Sequence, residues 1–382
     1  MGGANKGNSH QFIHPIIMKT TKNPLVVGRR DALKILGLGS AAFLTGVPGN
    51  TPCASAREAG SIKKPQNWGL VTHYEVDPAW PKKPEDIVWS GGMPGVDVDR
   101  QDHVWIIHRA LPLVQEFDAD GKFLKAWGKK GEAVAAIAGG PVDLTFSMAN
   151  PQIHQIKVDH EGNVWIATWR LGVVYKCSPE GKVLLVLGKY NERGVDEAHF
   201  GDPNDMVITP AGDVFVADGE VNFRIVHFDP KGKFIKAWGK QGKGPGEFDC
   251  PHALAMDSKG LLYVADRGNT RVQVFDQNGN FLDQWPDIVV PFDLWADGED
   301  NIWACGYGPL RLKYESHLPR TDDNIIVKFD PQGKVLLNWT FTVGKDPGQF
   351  GENHGMALDA KGSIYVSEVG PNTRVQKFVK SG

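Results

Sequence analysis

The sequence predicts an all-β protein, a six-bladed β-propeller, from three observations. From about residue 90, a similar unit recurs about every 40 to 50 residues, a period typical of propellers and solenoids. Each unit has an apolar strand, a tight turn and a second strand that carries an aromatic residue. The composition, with 45 glycines and 12 tryptophans among 382 residues, suits strands and turns better than helices.

The turn between the first two strands occurs six times. An aspartate in five copies opens it, because its side chain hydrogen-bonds the backbone of the turn, and glycine at the fourth position supplies positive φ in four. The copies are Asp99–Trp105, Asp159–Trp165, Thr209–Phe215, Asp257–Tyr263, Asp297–Trp303 and Asp359–Tyr365.

A second hairpin follows in five units, as in Phe117–Phe123 and Phe228–Phe234. Two hairpins make a four-stranded blade, with strands A to D from the axis outward. We expect a propeller domain over 57–382, with blades near 90–128, 147–188, 199–239, 247–285, 288–339 and 349–380. The sixth unit ends early, so a strand near 70–76 is expected to complete it and close the ring. The insertion 306–323 in blade 5 is expected to be a loop over one face.

The first 56 residues resemble an export signal. Arg29-Arg30 precede an apolar stretch, Ile35 to Val47, and Ala54-Ser55-Ala56 matches a cleavage site. The alternative is a tail with one short amphipathic helix. The order of the three features favours twin-arginine export, which predicts a periplasmic or secreted protein. The apolar stretch is too short for a membrane anchor, so none is expected after signal removal.

Charge and cysteine content exclude several kinds of partner and of site. The net charge is −3 and the body of the chain has no dense basic run, so nucleic acid and acidic membrane surfaces are not expected partners. Cys53 lies in the signal, and the three remaining cysteines indicate neither a disulfide framework nor a metal-ligand spacing.

Histidine occurs near the start of strand A in alternate repeats. His154, His252 and His354 each lie five residues before the aspartate that opens the turn. In a ring of six they come from blades 2, 4 and 6, so three imidazoles surround one axis. One such histidine alone is more often structural, whereas three at alternate blades predict a metal site. The equivalent residues of blades 1, 3 and 5 are Pro94, Asn204 and Phe292.

Arginines are predicted on the same face as the histidines. Because neighbouring strands are antiparallel, the start of strand A and the end of strand B lie at one face of the ring, the site face. The turns lie at the other, the turn face. Arg109 and Arg267 end strand B in the opposed blades 1 and 4, and Glu220 lies one residue beyond this position in blade 3. The full set is Arg109, Trp169, Gly219, Arg267, Tyr307 and Val369.

These residue types indicate a reactive metal centre. Three neutral imidazoles leave a fourth position open, the pattern of catalytic zinc, although another divalent transition metal also fits. Such an ion polarises a bound oxygen or lowers its pKa. Two guanidinium groups beside it are suited to a carboxylate. The predicted substrate is therefore a small carboxylate-bearing molecule or a peptide C-terminus.

The repeats resemble the NHL family. Asn222-Phe-Arg224, Asn269-Thr-Arg271 and Asn372-Thr-Arg374 match that family's Asn-x-Arg signature. We expect these three arginines to join neighbouring strands and to have a structural role.

Most of residues 90–380 further resemble peptidyl-α-hydroxyglycine α-amidating lyase, a six-bladed propeller that holds zinc with three histidines. The similarity is greatest in Gly201–Val207, Val214–Gly219 and Phe248–Ala255. It implies that His154, His252 and His354 are the zinc ligands. It also implies that Arg109 and Arg267 match the family's active-site arginines, which steady developing negative charge. The family cleaves a C–N bond of a peptide's C-terminal α-hydroxyglycine, and gives a peptide amide and glyoxylate.

The chain departs from this family at several positions. Glu220 stands where the family has its catalytic tyrosine, so a carboxylate becomes the candidate base; Tyr307, on the same face, is an alternative. Glu352 replaces a methionine two residues before the third histidine, and Gly355 replaces the aspartate that binds the family's calcium. The last change argues against a structural calcium, and the family's blade disulfides are absent as well. Together the departures indicate a related reaction on a different substrate.

Three hypotheses follow. The first is an exported metal-dependent lyase acting on an α-hydroxyglycine-type substrate. The second is a metal-dependent hydrolase or lactonase, because other six-bladed propellers open esters at a central metal. The third is a non-catalytic NHL scaffold that binds a partner, which predicts no stoichiometric metal.

Overall fold

The computed structural model describes residues 73–128, 152–309 and 324–381. Within these ranges the chain forms six four-stranded antiparallel sheets and one short 3₁₀ turn, Arg267–Asn269. The protein is thus the all-β, six-bladed propeller that the repeats predict. The predicted signal, residues 1–56, lies wholly outside the described ranges, as does most of the blade 5 insertion, residues 310–323.

The first three blades use strands β2 to β13, each pairing with the next along the chain. Blade 1 consists of β2 (Gly95–Val98), β3 (Val104–Ile107), β4 (Val114–Phe117) and β5 (Phe123–Trp127). Blade 2 consists of β6 (Ile153–Val158), β7 (Val164–Thr168), β8 (Val173–Cys177) and β9 (Val183–Gly188). Blade 3 consists of β10 (Pro203–Ile208), β11 (Val214–Asp218), β12 (Arg224–Phe228) and β13 (Phe234–Trp238).

The other three blades follow the same order. Blade 4 consists of β14 (Pro251–Met256), β15 (Leu262–Asp266), β16 (Arg271–Phe275) and β17 (Phe281–Pro286). Blade 5 consists of β18 (Val290–Ala296), β19 (Ile302–Tyr307), β20 (Asn324–Phe329) and β21 (Val335–Phe341). Blade 6 consists of β22 (Asn353–Leu358), β23 (Ile364–Glu368), β24 (Val375–Lys380) and, from the other end of the chain, β1 (Tyr74–Asp77).

The ring closes through β1. This strand pairs antiparallel with β24, from Tyr74 opposite Lys380 to Asp77 opposite Lys377. It covers the edge that blade 6 would otherwise expose. The innermost strands also contact one another in sequence around the axis, and β22 returns to β2.

The turns between strands A and B form as their sequences require. Asp159 Oδ1 accepts hydrogen bonds from the backbone N–H groups of Glu161 and Asn163, and Gly162 has a φ of +84°. In blades 1 and 5 aspartates replace this glycine, and Asp102 and Asp300 adopt φ values of +60° and +62°. Asp102 Oδ1 accepts the backbone N–H of Ala360, and Asp300 Oδ1 accepts that of Ser258, so each joins two blades.

The hydrophobic core consists of layers between neighbouring blades. Between blades 1 and 2, for example, Ile107 and Trp127 pack with Ile156 and Tyr175, all at most 6% exposed. Strand B is buried along its whole length, as in Val104–Ile107 and Val164–Thr168, so its successive side chains enter the layers on both sides of the blade. Among the described residues, no helix is long and apolar enough to cross a membrane.

The Asn-x-Arg arginines join strands, as the sequence predicts. Arg271 binds Asp266 at the end of strand B through Nε, 2.7 Å away, and its other nitrogens donate to the carbonyls of Lys243, Gly244 and Glu247. Arg224 and Arg374 make the same pairs with Asp218 and Glu368. Each guanidinium thus fixes the incoming loop of its blade to strand B.

Replacing Arg271 with methionine should destabilise the protein by about 3–5 kcal/mol, because Asp266 would remain buried without its cation. Urea denaturation measures this change. Lys240→Met is the matched control, since its pair with Glu247 is exposed and should contribute less than about 1 kcal/mol. Equal, small effects of the two substitutions would contradict the structural role of Arg271.

Candidate active site

The three histidines meet at the axis of the ring. His154, His252 and His354 are 4%, 1% and 5% exposed and lie near the start of strand A in blades 2, 4 and 6. Their ring centroids are 4.7, 5.0 and 5.1 Å apart, and one nitrogen of each lies within 4.8 Å of the other two. The structure therefore brings together the triad that the repeat spacing predicts.

Each imidazole is oriented by the neighbouring blade. Nδ1 of His154 lies 2.8 Å from the carbonyl oxygen of Asn204, Nδ1 of His252 lies 2.6 Å from that of Phe292, and Nδ1 of His354 lies 2.8 Å from that of Pro94. The three carbonyls belong to the residues of blades 1, 3 and 5 that are equivalent to the histidines. Even blades thus supply the imidazoles and odd blades supply the acceptors.

This arrangement determines the tautomer. A carbonyl oxygen only accepts a hydrogen bond, so Nδ1 carries the proton and Nε2 keeps a lone pair. Burial lowers the pKa of His154 to about 3, with a further contribution from the guanidinium groups of Arg109 and Arg267. Burial likewise holds the pKa values of His252 and His354 well below their usual value. The three imidazoles are therefore neutral at physiological pH, the state in which an imidazole can bind a metal ion.

The guanidinium of Arg109 has no acidic hydrogen-bond partner among the described residues. Its Nε donates to the carbonyl of Ile153 at 3.3 Å, and its Cζ lies 5.5 Å from the ring centroid of Trp169. Burial lowers its pKa, while the nearby carboxylates of Glu220 and Glu352 raise it. A half-buried cation beside the histidines, without a direct counter-ion, is a binding group for an anion.

Arg267 differs from Arg109 because it is paired with Glu220. The Nη2 atom of Arg267 lies 3.1 Å from Glu220 Oε1, and the indole N–H of Trp169 donates to Glu220 Oε2 at 2.9 Å. Both members of the ion pair are 16% exposed. The predicted catalytic residues Arg109, Arg267 and Glu220 therefore share one site, and Trp169 connects them.

Two further residues lie beside this group. The charge of Glu352 raises the pKa of Arg109, so Glu352 lies near that guanidinium. Tyr307 is 5% exposed and packs edge-on against Phe292, with ring centroids 4.7 Å apart. Phe292 in turn contacts His252 and His354. Tyr307 therefore packs behind the phenyl ring that borders the histidines.

A second cluster of potential ligands, Asp99, His103 and Glu116 in blade 1, differs from the triad. Asp99 accepts hydrogen bonds from two backbone N–H groups and the indole of Trp105, and Glu116 pairs with His103 and Lys125. The carboxylates of this cluster therefore already have hydrogen-bond or ion-pair partners within blade 1. At the triad, by contrast, Nε2 of His252 is buried with no hydrogen-bond partner among the described residues.

The triad fits a zinc ion. Structural and catalytic zinc sites accept neutral imidazole nitrogens, and ligating histidines usually donate their other ring N–H to a carbonyl or carboxylate. The site has both features. The calcium of the resembling family does not fit, since Gly355 offers no carboxylate and a Cβ there would lie 2.6 Å from Ser367 Oγ and 3.0 Å from the carbonyl of Pro94.

Sequence reasoning assigned no role to Trp169 or Asn204. Trp169 stands in the set that ends strand B, so its indole N–H beside Glu220 was a usable signal. Asn204 contributes through its backbone carbonyl and through Nδ2, 3.4 Å from Nε2 of His154. Every residue has a backbone carbonyl, so the sequence does not predict which one accepts a hydrogen bond, and only the structure reveals it.

Substituting His252 with alanine should reduce bound zinc from about one equivalent to below one tenth, because two imidazoles do not retain the ion during gel filtration. Elemental analysis of both purified proteins measures this loss. His103→Ala is the matched control and should keep its zinc. Wild-type protein purified without about one equivalent of a divalent transition metal would contradict the site.

Comparison with known proteins agrees with this architecture. The NHL repeat family matches residues 248–275, and the two component regulator propeller family matches residues 147–170. A streptogramin B lyase structure aligns with a TM-score of 0.51 at 12% identity, over 80% of this chain and 97% of that one, which supports the fold alone.

Relatives found by sequence similarity identify the family, which the structural match does not. The chain is 34% identical to peptidyl-glycine alpha-amidating monooxygenase of Mus musculus over 75% of its own length, but spans only 30% of that protein. It is 31% identical to a probable peptidyl-alpha-hydroxyglycine alpha-amidating lyase of Caenorhabditis elegans, over 74% of this chain and 81% of the relative. At this identity and coverage of a complete relative, the chain belongs to the peptidyl-α-hydroxyglycine α-amidating lyase family of NHL-repeat propellers.

Proposed function

We propose that this chain is a zinc-dependent carbon–nitrogen lyase that cleaves an α-hydroxyglycine-type substrate to an amide and glyoxylate. The observation that carries the proposal is the Arg109 guanidinium, which contacts no carboxylate among the described residues, beside three buried neutral imidazoles, of which His252 has an Nε2 without a hydrogen-bond partner there. Such a site suits a substrate with a carboxylate and an adjacent hydroxyl. The names of its relatives support the same reaction class.

The histidines would hold the metal, and when bound it would supply a Lewis acid for the oxygens of the substrate. Arg109 would bind the substrate carboxylate. Its half-buried position strengthens this contact, because water screens the charges less. The negative charge that develops on the glyoxylate product would then lie beside a cation already in place.

The reaction requires one proton to move. A base takes the proton of the α-hydroxyl, the C–O bond becomes a carbonyl as the C–N bond breaks, and the nitrogen takes up a proton to become the amide. Glu220 is our candidate for this base. Arg267 and Trp169 each bind one of its oxygens, so the carboxylate is held in one orientation.

The same pairing makes the two arginines unequal. Arg267 is engaged by Glu220, whereas Arg109 contacts no carboxylate oxygen among the described residues. We therefore assign the anion-binding role to Arg109 and a positioning role to Arg267. Glu352 adds negative charge near Arg109, which disfavours substrates with further anionic groups at that side.

We further propose that the protein is exported. The support is the twin-arginine-like segment within residues 1–56, which lies outside the described ranges. A folded protein with a metal already bound is the kind of cargo that such a signal carries.

The direct test is glyoxylate release from an N-acyl-α-hydroxyglycine and from a peptide with a C-terminal α-hydroxyglycine, above the rate without protein. Zinc-loaded wild type should release glyoxylate, and the His252→Ala variant should not. Turnover of a lactone without any glyoxylate would favour a hydrolase. No turnover of either substrate and no bound metal would favour a binding scaffold.

Arg109→Gln should lower kcat/KM about 100-fold or more, because a partly buried donor to the substrate anion is lost. Arg109→Lys should recover only part of this loss, since a lysine cannot bind a carboxylate bidentately. Steady-state kinetics with zinc content measured in each variant gives the answer. An unchanged KM and kcat in Arg109→Gln would remove Arg109 from the site.

Glu220→Gln and Trp169→Phe form a matched pair. If Glu220 is the base, Glu220→Gln should reduce kcat about 100-fold to 10,000-fold, whereas Trp169→Phe, which keeps the carboxylate and removes one hydrogen bond, should cost about 10-fold. Single-turnover rates of both variants measure the difference. Equal, modest losses would show that Glu220 only positions its neighbours.

A further inference from the structure

Arg170 places a further positive charge beside the site. It follows Trp169 in the loop between strands B and C of blade 2, on the site face, and its side chain is exposed. Its Cζ lies 4.0 Å from the ring centroid of Trp169. Its guanidinium pairs with no carboxylate among the described residues, so an aromatic ring holds the group while its charge is available to a ligand.

Trp169 connects this charge to the groups of the proposed reaction. The ring centroid of the same indole lies 5.5 Å from Cζ of Arg109, and its N–H donates to Glu220 Oε2 at 2.9 Å. Burial is the main cause of the lowered pKa of Arg109, and the charge of Arg170 lowers that pKa further. Two guanidinium groups near one indole, close enough to repel each other, suit a ligand with two anionic groups.

The backbone of Arg170 is fixed by blade 3. Arg170 has a φ of +69°, in the left-handed region that is uncommon for residues with a side chain. Its backbone N–H donates to Oδ1 of the buried Asp202 at 3.0 Å, and the same oxygen lies 2.6 Å from Nη2 of Arg193. Arg193 is thus the cation that pairs with Asp202, and Asp202 orients the loop without binding the guanidinium of Arg170.

The charges around Arg109 differ between its two sides. Strand A of blade 1 contacts strand A of blade 2 on one side and strand A of blade 6 on the other. Arg170 comes from blade 2, whereas Glu352 directly precedes strand A of blade 6. On a ligand held at Arg109, a second anionic group is therefore attracted toward blade 2 and repelled from blade 6.

We propose that Arg170 and Trp169 form a subsite for an anionic group on the acyl side of the substrate, so that the site prefers an acidic residue directly before the α-hydroxyglycine. This inference rests on the proposed lyase function, with the terminal carboxylate at Arg109. It adds a residue that determines specificity and does not touch the reacting atoms.

The spacing of the two arginines fits such a substrate. Their guanidinium carbons are no farther apart than the sum of their distances to the indole of Trp169. Two extended residues span about 7 Å, and an ion-pair contact at each end covers the rest. An aspartyl carboxylate next to the α-hydroxyglycine therefore reaches Arg170 while the terminal carboxylate stays at Arg109.

The exposure of Arg170 limits the size of the effect. An ion pair in contact with solvent changes an equilibrium by a factor of about five or less, and salt weakens it. Stacking on Trp169 already restricts the guanidinium, so little side-chain freedom is lost when it binds. We therefore expect a preference of about 5-fold that depends on ionic strength.

The experiment compares kcat/KM for acetyl-aspartyl-α-hydroxyglycine and acetyl-asparaginyl-α-hydroxyglycine, which are nearly equal in size and differ in charge. Zinc-loaded wild type should prefer the aspartyl peptide about 5-fold in about 20 mM salt and less than about 2-fold in about 0.5 M salt. The preference should appear in KM more than in kcat, because the subsite binds the ground state and the transition state alike.

Substitutions identify the residue responsible. Arg170→Gln should bring the ratio of the two kcat/KM values to about one, and Arg170→Glu should invert it. Arg100→Gln is the matched control, because Arg100 is an exposed arginine at the turn face and its loss changes the net charge equally. This control should keep the ratio of the wild type. Zinc content, measured in each protein, reports whether the histidine site is intact.

A binding measurement separates the subsite from the proposed reaction. Acetyl-aspartylglycine and acetyl-asparaginylglycine lack the α-hydroxyl, so they are not cleaved, and calorimetric titration of zinc-loaded protein measures their binding. Wild type should bind the aspartyl peptide about 5-fold more tightly, and Arg170→Gln should remove the difference. If no α-hydroxyglycine peptide gives glyoxylate, the lyase function is wrong, and this titration still decides whether the subsite exists.

Equal affinities of wild type for the two glycine peptides, or no binding of either, would overturn the proposal. A preference that persists in Arg170→Gln would also overturn it, because another residue would then provide the positive charge. A stronger preference for a phenylalanyl peptide, unchanged by salt, would show that Trp169 selects aromatic groups and that Arg170 does not select anionic ones.

Discussion

The site depends on one type of interaction, the hydrogen bond from a histidine Nδ1–H in an even blade to a backbone carbonyl in the next odd blade. Three such bonds, at 2.6 to 2.8 Å, fix the tautomer and aim each Nε2 at the axis. They form only if the ring has six blades and closes. Closure by β1 against β24 is therefore a condition for the chemistry as well as for stability.

The same alternation organises the channel in two layers. On the site-face side, even blades donate from imidazoles to odd-blade carbonyls; further along the axis, Asp97, Asp205 and Asp293 of the odd blades accept even-blade N–H groups. In both layers the even blades donate and the odd blades accept, so every blade is hydrogen-bonded to both of its neighbours at the axis. This polar inner wall contrasts with the apolar layers between blades, such as that around Ile107 and Tyr175. The apolar layers stabilise the ring, and the polar wall fixes the rotation of each strand A.

The two arginines of the site have unequal environments, so its two sides differ in how their charge is paired. Arg267 is neutralised by Glu220, which Trp169 also holds, whereas Arg109 contacts no carboxylate oxygen among the described residues. Both guanidinium groups lower the pKa of His154, so both act on the histidine triad. The two arginines occupy equivalent positions in opposed blades, yet only Arg267 is paired with Glu220, because Glu220 comes from blade 3, next to blade 4.

Residue spacing alone predicts the six repeats, the three histidines at alternate blades and the placement of Arg109, Arg267 and Glu220 on one face. Period and strand direction are enough for this, because each blade repeats one geometry. Which of these groups pair with each other follows from the folded ring. The Glu220–Arg267 contact, the carbonyl acceptors of the histidines and the crossing of Lys157 to Asp293 join residues 40 to 260 positions apart. Side-chain reach and rotation across the axis, which residue spacing does not encode, determine these contacts.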